Sequence, residues 1–113
     1  MLEKVIKINL LYDFYGQMLT DKQKEIIEQY YYNDLSLGEI SQCLNISRQG
    51  VYDILKRSEN LLYHYEDKLC LVEKFTVQNK KLKEAYRLLE NVIVNDNIDK
   101  AKSIIKDMME IDI

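Results

Sequence analysis

Residues that break helices are scarce in this sequence. Among 113 residues there is no proline, and there are only three glycines. Relative to alanine, proline destabilises a helix interior by about 3 kcal/mol and glycine by about 1 kcal/mol, so their scarcity predicts a chain that is nearly all helical. Hydrophobic residues make up 47% and charged residues 31%, which suits one small domain with a buried core and a helical extension. The predicted fold class is all-α.

Residues that carry enzyme chemistry are equally scarce. Cys43 and Cys70 are far apart and form no CxxC pair, so neither a zinc site nor a disulfide framework is indicated. His64 is the only histidine, and it lies in a tyrosine-rich helical segment where a structural role is the usual one. The sequence also contains no glycine-rich phosphate loop and no nucleophile motif. We therefore predict no enzyme activity, metal, cofactor or small-molecule substrate, and the two free thiols favour a cytoplasmic location.

Long apolar runs and a basic excess are both absent. Charged and polar side chains interrupt the N-terminal segment, which predicts neither a signal peptide nor a membrane-spanning helix. The net charge is −3, whereas dedicated DNA-binding domains are usually basic because they neutralise phosphates. Residues 20–57 contain five basic and six acidic residues, and residues 58–113 contain nine and eleven. Any nucleic-acid site must therefore be a local basic patch on a protein whose net charge is negative.

The most specific pattern is the segment 36–57, SLGEISQCLNISRQGVYDILKR, which fits two helices joined by a tight turn. Ser36 and Glu39 have the spacing of a capping box at the start of the first helix. Asn45 occupies the turn, and asparagine is one of the few residues that tolerate the left-handed conformation. Ser47 can then cap the second helix. These unlike constraints are met in the right order, which predicts a helix-turn-helix.

The second helix of this segment divides its side chains between a core and an exposed face. Helical spacing turns inward the apolar side chains of Val51, Ile54 and Leu55. The outward face carries Ser47, Arg48, Gln49, Tyr52, Asp53, Lys56 and Arg57. Arginine can bond a guanine edge and glutamine an adenine edge, whereas late helix positions suit phosphate contacts. The predicted basic patch consists of Arg48, Lys56 and Arg57, extended by Lys22 and Lys24. An ordinary solvated helix face remains the alternative.

Two more helices precede the helix-turn-helix. The first is predicted from Leu2 to about Tyr15. It is apolar on two stripes, one of Leu2, Val5, Ile6 and Tyr12 and the other of Ile8, Leu11 and Tyr15. The second opens at Thr20 with a capping box completed by Gln23. It is predicted to end around Asn33 and Asp34, after the run 30–32, YYY, whose rings could stack on bases or pack inside the protein. Helical spacing favours packing, with at least two of the three rings turned inward.

The rest of the chain is predicted to form helices that pack on one another. The second helix of the helix-turn-helix is predicted to continue to about Lys74, because a seven-residue apolar repeat persists and no breaker interrupts it. Two further apolar stripes, Leu82, Ala85, Tyr86, Leu89, Val92 and Ile93, then Ile98, Ala101, Ile104, Ile105 and Met108, predict a C-terminal helical hairpin. We therefore expect a bundle in residues 1–57 and an extension in residues 58–113 that mediates dimerisation.

Four motifs between residues 10 and 75 are distinctive together: TDKQ, YYYNDLSLGEI, ISRQGVYD and YEDKL. In them the chain closely resembles the YlxM family of helix-turn-helix proteins, which is similar to region 4 of bacterial sigma factors and has no wing. Gly50 departs from the alanine expected there, which costs the helix about 0.5–1 kcal/mol. The resemblance implies a bacterial homodimer, encoded beside the signal recognition particle GTPase, that acts in or regulates that targeting pathway. By the same resemblance the DNA-reading residues are Ser47, Arg48, Gln49, Tyr52, Lys56 and Arg57.

Two functions of different classes follow. The leading one is a DNA-binding regulator, in which a homodimer presents two recognition helices to successive major grooves. The alternative is an interaction module of the targeting machinery that contacts the particle's GTPase or RNA without binding DNA. The acidic balance of the chain favours the alternative, since a helix-turn-helix fold does not by itself specify DNA.

Overall fold

Six α-helices and two short helical turns make up most of the structure, a computed structural model that describes residues 1–90, 92 and 95–110. No strand occurs among these residues, so the predicted all-α class is confirmed. The chain divides after Cys70 into two compact units. The predicted boundary after Arg57 was therefore wrong, because the helix that follows the turn remains part of the N-terminal core well beyond that residue.

The first unit contains α1 (Leu2–Tyr15), a 3₁₀ turn (Gly16–Met18), α2 (Asp21–Ile27), a π-helical turn (Glu28–Tyr32), α3 (Leu37–Leu44) and α4 (Arg48–Leu69). The second unit contains α5 (Leu71–Leu89) and α6 (Asp96–Met109).

The core of the first unit forms where α1, α2 and α3 each pack on α4. Its buried apolar side chains are Ile8, Leu11, Tyr15, Leu19, Ile26, Ile27, Ile40, Val51, Leu55 and Leu62. Each fully buried leucine or isoleucine contributes about 1.5–3 kcal/mol relative to an exposed one. Of the two predicted stripes of α1 only one is buried, whereas Leu2 and Ile6 of the other remain 72% and 57% exposed.

Local side-chain chemistry fixes where α2 begins. The Thr20 hydroxyl accepts a hydrogen bond from the Gln23 N–H at 3.2 Å, and the Gln23 side chain accepts one from the Thr20 N–H at 2.9 Å. The predicted capping box is therefore confirmed. Before it, the ring of Tyr12 lies over Gly16, where an added Cβ would be 3.0 Å from the ring. Any other residue there would require the Tyr12 ring to shift by a few tenths of an ångström.

The three consecutive tyrosines occupy the π-helical turn, whose wider spacing rotates them relative to an α-helix. Tyr31 is half-buried, but Tyr30 and Tyr32 remain 37% and 47% exposed. The expectation that at least two of the three turn inward was therefore wrong. The exposed rings still pack on neighbours, because Tyr32 lies 5.8 Å from Tyr12 and Tyr30 lies 5.0 Å from Tyr31 between ring centroids.

The long helix ends earlier than predicted. At Cys70 the backbone takes a left-handed conformation with φ of 55°, and its N–H bonds the Glu66 carbonyl at 2.8 Å. The second unit then consists of α5 and α6 packed as a helical hairpin. Asn95 caps α6 by accepting from the Ile98 N–H at 3.0 Å. Ile93, assigned to the predicted apolar stripe, lies outside the described residues.

Candidate nucleic-acid interface

The candidate interface is built on the turn between α3 and α4. The Ser36 hydroxyl accepts from the Glu39 N–H at 3.1 Å, and the Glu39 carboxylate accepts from the Ser36 N–H at 3.0 Å. The hydrogen bonds from Ser36 hold the pKa of the Glu39 carboxyl below its ordinary value. At the other end of α3, Asn45 adopts φ of 56° and ψ of 41°, the left-handed conformation predicted for it. Both expected signals of a helix-turn-helix are therefore present.

Two serines then fix the start of α4. The Ser41 hydroxyl donates to the Ile46 carbonyl at 2.6 Å, which ties α3 to the turn. The Ser47 hydroxyl accepts from the Gly50 N–H at 2.9 Å, the predicted cap. Because the cap uses one lone pair of this hydroxyl, Ser47 keeps its donor proton and one lone pair for a ligand. A Cβ at Gly50 would lie 3.0 Å from the Ser47 oxygen, so glycine leaves space around the cap.

Four candidate side chains lie in two rows along α4, because residues four apart share a helix face. Arg48 and Tyr52 occupy one row, and both are exposed, Tyr52 at 42%. Gln49 occupies the next row with Arg57, and both are also exposed. Within the described part of the chain the Arg48 side chain makes no hydrogen bond or ion pair. The first two turns of α4 therefore present arginine, glutamine and tyrosine to solvent on a rigid backbone.

Lys56 is less free than predicted. It is half-buried, and its Nζ lies 3.7 Å from a carboxylate oxygen of Glu59, which is itself only 4% exposed. The same Nζ lies 5.8 Å from the centre of the Tyr52 ring, within cation–π range. The expectation that Lys56 points wholly away from the core was therefore wrong, because a buried carboxylate attracts it. Its charge is partly neutralised before any phosphate approaches.

Glu59 joins three helical elements. Its carboxylate accepts from the Tyr31 hydroxyl at 2.8 Å and lies 3.2 Å from the Nζ of Lys4 in α1. The hydrogen bond to Glu59 raises the pKa of the Lys4 ammonium, and burial, assisted by Glu59, raises that of the Tyr31 phenol. This buried carboxylate therefore sets the position of α4 relative to α1 and the π-helical turn.

The start of α3 also contributes to the candidate interface. Leu37 lines a shallow cleft with Arg48, Gln49 and Tyr52, and the cleft has a volume of about 470 Å³. On its polar side the Gln49 amide donates to the Asp53 carboxylate at 2.9 Å. Lys22 and Lys24 of the predicted patch lie on α2 rather than on α4.

Comparison with known proteins places this geometry in a family. The description "Putative helix-turn-helix protein, YlxM / p13 like" belongs to the UPF0122 family, which matches residues 2–107. The chain belongs to the UPF0122 family. The expected resemblance is therefore confirmed over more of the chain than the four motifs covered.

Bacterial relatives support the assignment to UPF0122 along the chain. A UPF0122 protein of Desulforamulus reducens is 48% identical over 107 residues, which cover 92% of each chain. One from Oceanobacillus iheyensis is 44% identical over 92% of this chain and 99% of its own. One from Caldanaerobacter subterraneus is 62% identical over 68% of this chain and 66% of its own. No helix in the described residues of this UPF0122 chain is long and apolar enough to span a membrane.

Three residues of this interface were absent from the set predicted from sequence. Asp53 was placed on the outward face without a role, although its spacing from Gln49 is that of a side-chain pair on a helix. Glu59 follows Leu55 by four residues and precedes Leu62 by three, so its spacing indicated the edge of the core. For Leu37 no comparable signal exists, because its approach to α4 depends on the angle between two helices.

Proposed function

We propose that this protein is a DNA-binding regulatory protein that places the first two turns of α4 in the major groove. The proposal rests on the exposure of Arg48, Gln49 and Tyr52 in the first two turns of α4, directly after its cap. Val51 and Leu55 are buried on the opposite side of the helix. The N-terminal residues of a recognition helix are those that reach base edges. Arg48 is suited to a guanine edge and Gln49 to an adenine edge.

Phosphate contacts fall to the later residues of the same helix. Arg57 is exposed and lies two turns beyond Gln49, so it is suited to the backbone that borders the groove. Lys56 would contribute a smaller part, because Glu59 already attracts its ammonium group at 3.7 Å. With few basic side chains per protomer, we expect modest affinity and a shallow salt dependence for a single copy.

We also propose that two copies associate through the second unit. None of the residues of α6 is buried, and Val77, Leu88, Ile104 and Met108 of the hairpin are 38% to 61% exposed. A two-helix hairpin buries little of its apolar surface, and a second hairpin would complete a four-helix bundle. Such a homodimer presents two α4 helices and doubles the basic patch, which raises affinity for DNA.

The test is binding to duplex DNA. From a random library of duplexes, the wild-type protein selects a preferred site at ~50 mM salt. Arg48→Ala, which loses one bidentate base contact, then weakens binding to that site by about 5- to 150-fold, corresponding to ~1–3 kcal/mol. Lys68→Ala, at the far end of α4, serves as the matched control and leaves affinity nearly unchanged. Failure of the wild type to retain any duplex would refute the proposal.

The second candidate function is an interaction module of the signal recognition particle pathway, as the family resemblance implies. One observation favours it, since residues 1–70 contain eight basic and eleven acidic residues, a balance of −3 that repels phosphates. Under this alternative the exposed face of α4 contacts the particle's GTPase or its RNA. Co-purification of either component with the wild type, lost in Arg48→Ala, together with no binding to duplex DNA, would favour this candidate.

A further inference from the structure

We propose that the cleft between the first turns of α3 and α4 reads an A·T base pair. In this arrangement Gln49 bonds the adenine, and the side chains of Leu37 and Tyr52 contact the methyl group of the paired thymine. The inference rests on the proposed DNA binding and names the base pair that this part of the site accepts.

Asp53 orients the amide of Gln49. Its carboxylate can only accept hydrogen bonds, so the amide of Gln49 must turn its nitrogen toward it, as the 2.9 Å bond shows. The amide nitrogen has two N–H groups, and this contact occupies one. The second N–H and the amide oxygen remain, and together they match N7 and the N6 amino group of adenine. Asp53 therefore acts as a positioning residue that holds Gln49 ready for adenine.

Leu37 and Tyr52 supply the apolar walls of the cleft. Leu37 is half-buried at the first position of α3, and with Tyr52, Arg48 and Gln49 it lines a volume of about 470 Å³. In the major groove the one apolar group on a base edge is the thymine methyl, and it lies on the same edge as the adenine groups that Gln49 can bond. A single A·T pair can thus satisfy the amide and the apolar walls together.

A G·C pair fits the same cleft less well. It offers no methyl group to Leu37 and Tyr52, and its guanine presents two acceptors where the glutamine oxygen also needs a donor. Arg48 is the side chain suited to guanine, and it lies at the first position of α4, one residue from Gln49. We therefore expect a guanine beside the A·T pair rather than in place of it.

Base analogues test the methyl contact in the selected duplex without changing the protein. Each thymine is replaced in turn by deoxyuridine, which lacks the methyl group. One replacement should weaken wild-type binding about fourfold, the effect of losing the burial of one methyl group. At the paired adenine, 7-deazaadenine should weaken binding by about fivefold or more, since one of two base contacts is lost. Leu37→Ala should reduce sensitivity to the missing methyl, Leu37→Ala combined with Tyr52→Ala should abolish it, and Gln49→Ala should abolish sensitivity to 7-deazaadenine.

Two variants of Asp53 separate positioning from charge. Asp53→Asn removes the charge but keeps an oxygen that can accept from Gln49, so it should bind all duplexes more tightly and keep the A·T preference. Asp53→Ala removes both, so non-specific binding should also rise while the preference for A·T over G·C at that position falls. A merely structural role of Asp53 would leave this preference unchanged. Far-UV circular dichroism of each variant verifies that it is folded.

The outcomes separate this inference from the proposed function. If the wild type binds DNA and Arg48→Ala weakens it, but no thymine methyl matters or the selected pair is G·C, the A·T inference is overturned and DNA binding stands. The same holds if methyl sensitivity persists in the double variant Leu37→Ala, Tyr52→Ala. If the wild type binds no duplex, both are overturned.

Discussion

Glu59 is the residue whose replacement most clearly tests how α4 is held. Its side chain is 5% exposed and is contacted by Tyr31, Lys4 and Lys56, whereas the two lysine side chains are 47% and 43% exposed. Removing a lysine leaves a buried charge, but removing the carboxylate leaves lysines that can turn into water. The two kinds of substitution should therefore have unequal costs.

The magnitudes follow from these contacts. Glu59→Gln keeps an acceptor for Tyr31 but makes that hydrogen bond neutral, a loss of about 1 kcal/mol. The two ion pairs together contribute about 3 kcal/mol because the carboxylate is buried, and relief of its desolvation offsets about the same amount. We expect a net loss of about 1 kcal/mol. Replacing both Lys4 and Lys56 by methionine leaves the carboxylate buried without a cation and should cost about 3–5 kcal/mol.

The decisive variant combines all three substitutions. With both lysines already replaced by methionine, Glu59→Gln removes the unpaired buried charge and should restore about 2 kcal/mol. Urea unfolding followed by far-UV circular dichroism measures each free energy of unfolding. Glu84→Gln, in an exposed ion pair with Arg87, is the control and should leave the midpoint unchanged. A triple variant no more stable than the double variant would show that Glu59 carries no buried charge.

Two further predictions concern pH and association. Burial, assisted by Glu28, raises the pKa of the Tyr12 phenol from 10 to about 12, so folding favours the protonated form. The contribution of Tyr12 to the free energy of unfolding is therefore full below pH 10 and is lost as the pH rises to about 12. Urea midpoints between about pH 9 and about pH 12 should fall for the wild type and fall less for Tyr12→Phe; equal slopes would contradict this. Sedimentation equilibrium should give a dimer for the wild type and a monomer for Ile104→Glu, whereas a monomeric wild type would refute the proposed interface.

Local chemistry explains which parts of the fold were predictable. The caps at Thr20, Ser36 and Ser47 and the left-handed turn at Asn45 each depend on one residue type and on neighbours within three positions. Such features are specified before any tertiary contact forms. The helix-turn-helix could therefore be located from its helix caps and its turn residue alone.

Features that depend on distant residues were missed. Tyr31 and Glu59 are 28 positions apart, and their hydrogen bond joins the π-helical turn to α4 only in the folded chain. The end of α4 was misplaced for a related reason, since cysteine has no special preference for the left-handed conformation that Cys70 adopts. No local signal marks either feature.

The candidate site shows the same division. Helical spacing alone identified the exposed face of Arg48, Gln49, Tyr52 and Arg57, because a single helix determines it. The cleft beside Leu37 required the packing of α3 on α4, and the diversion of Lys56 required a buried carboxylate bound to α1. Sequence thus predicts which side chains a helix exposes, but not which of them a neighbouring element modifies.

The most direct test of DNA binding by α4 is a nuclear magnetic resonance titration of ¹⁵N-labelled protein with its selected duplex. We expect the largest backbone amide shifts in residues 47–57 and around Leu37, with small shifts in α5 and α6. Shifts confined to α5 and α6, or no shifts at a protein concentration where the duplex is in excess, would contradict the assignment of α4 as the DNA-reading helix.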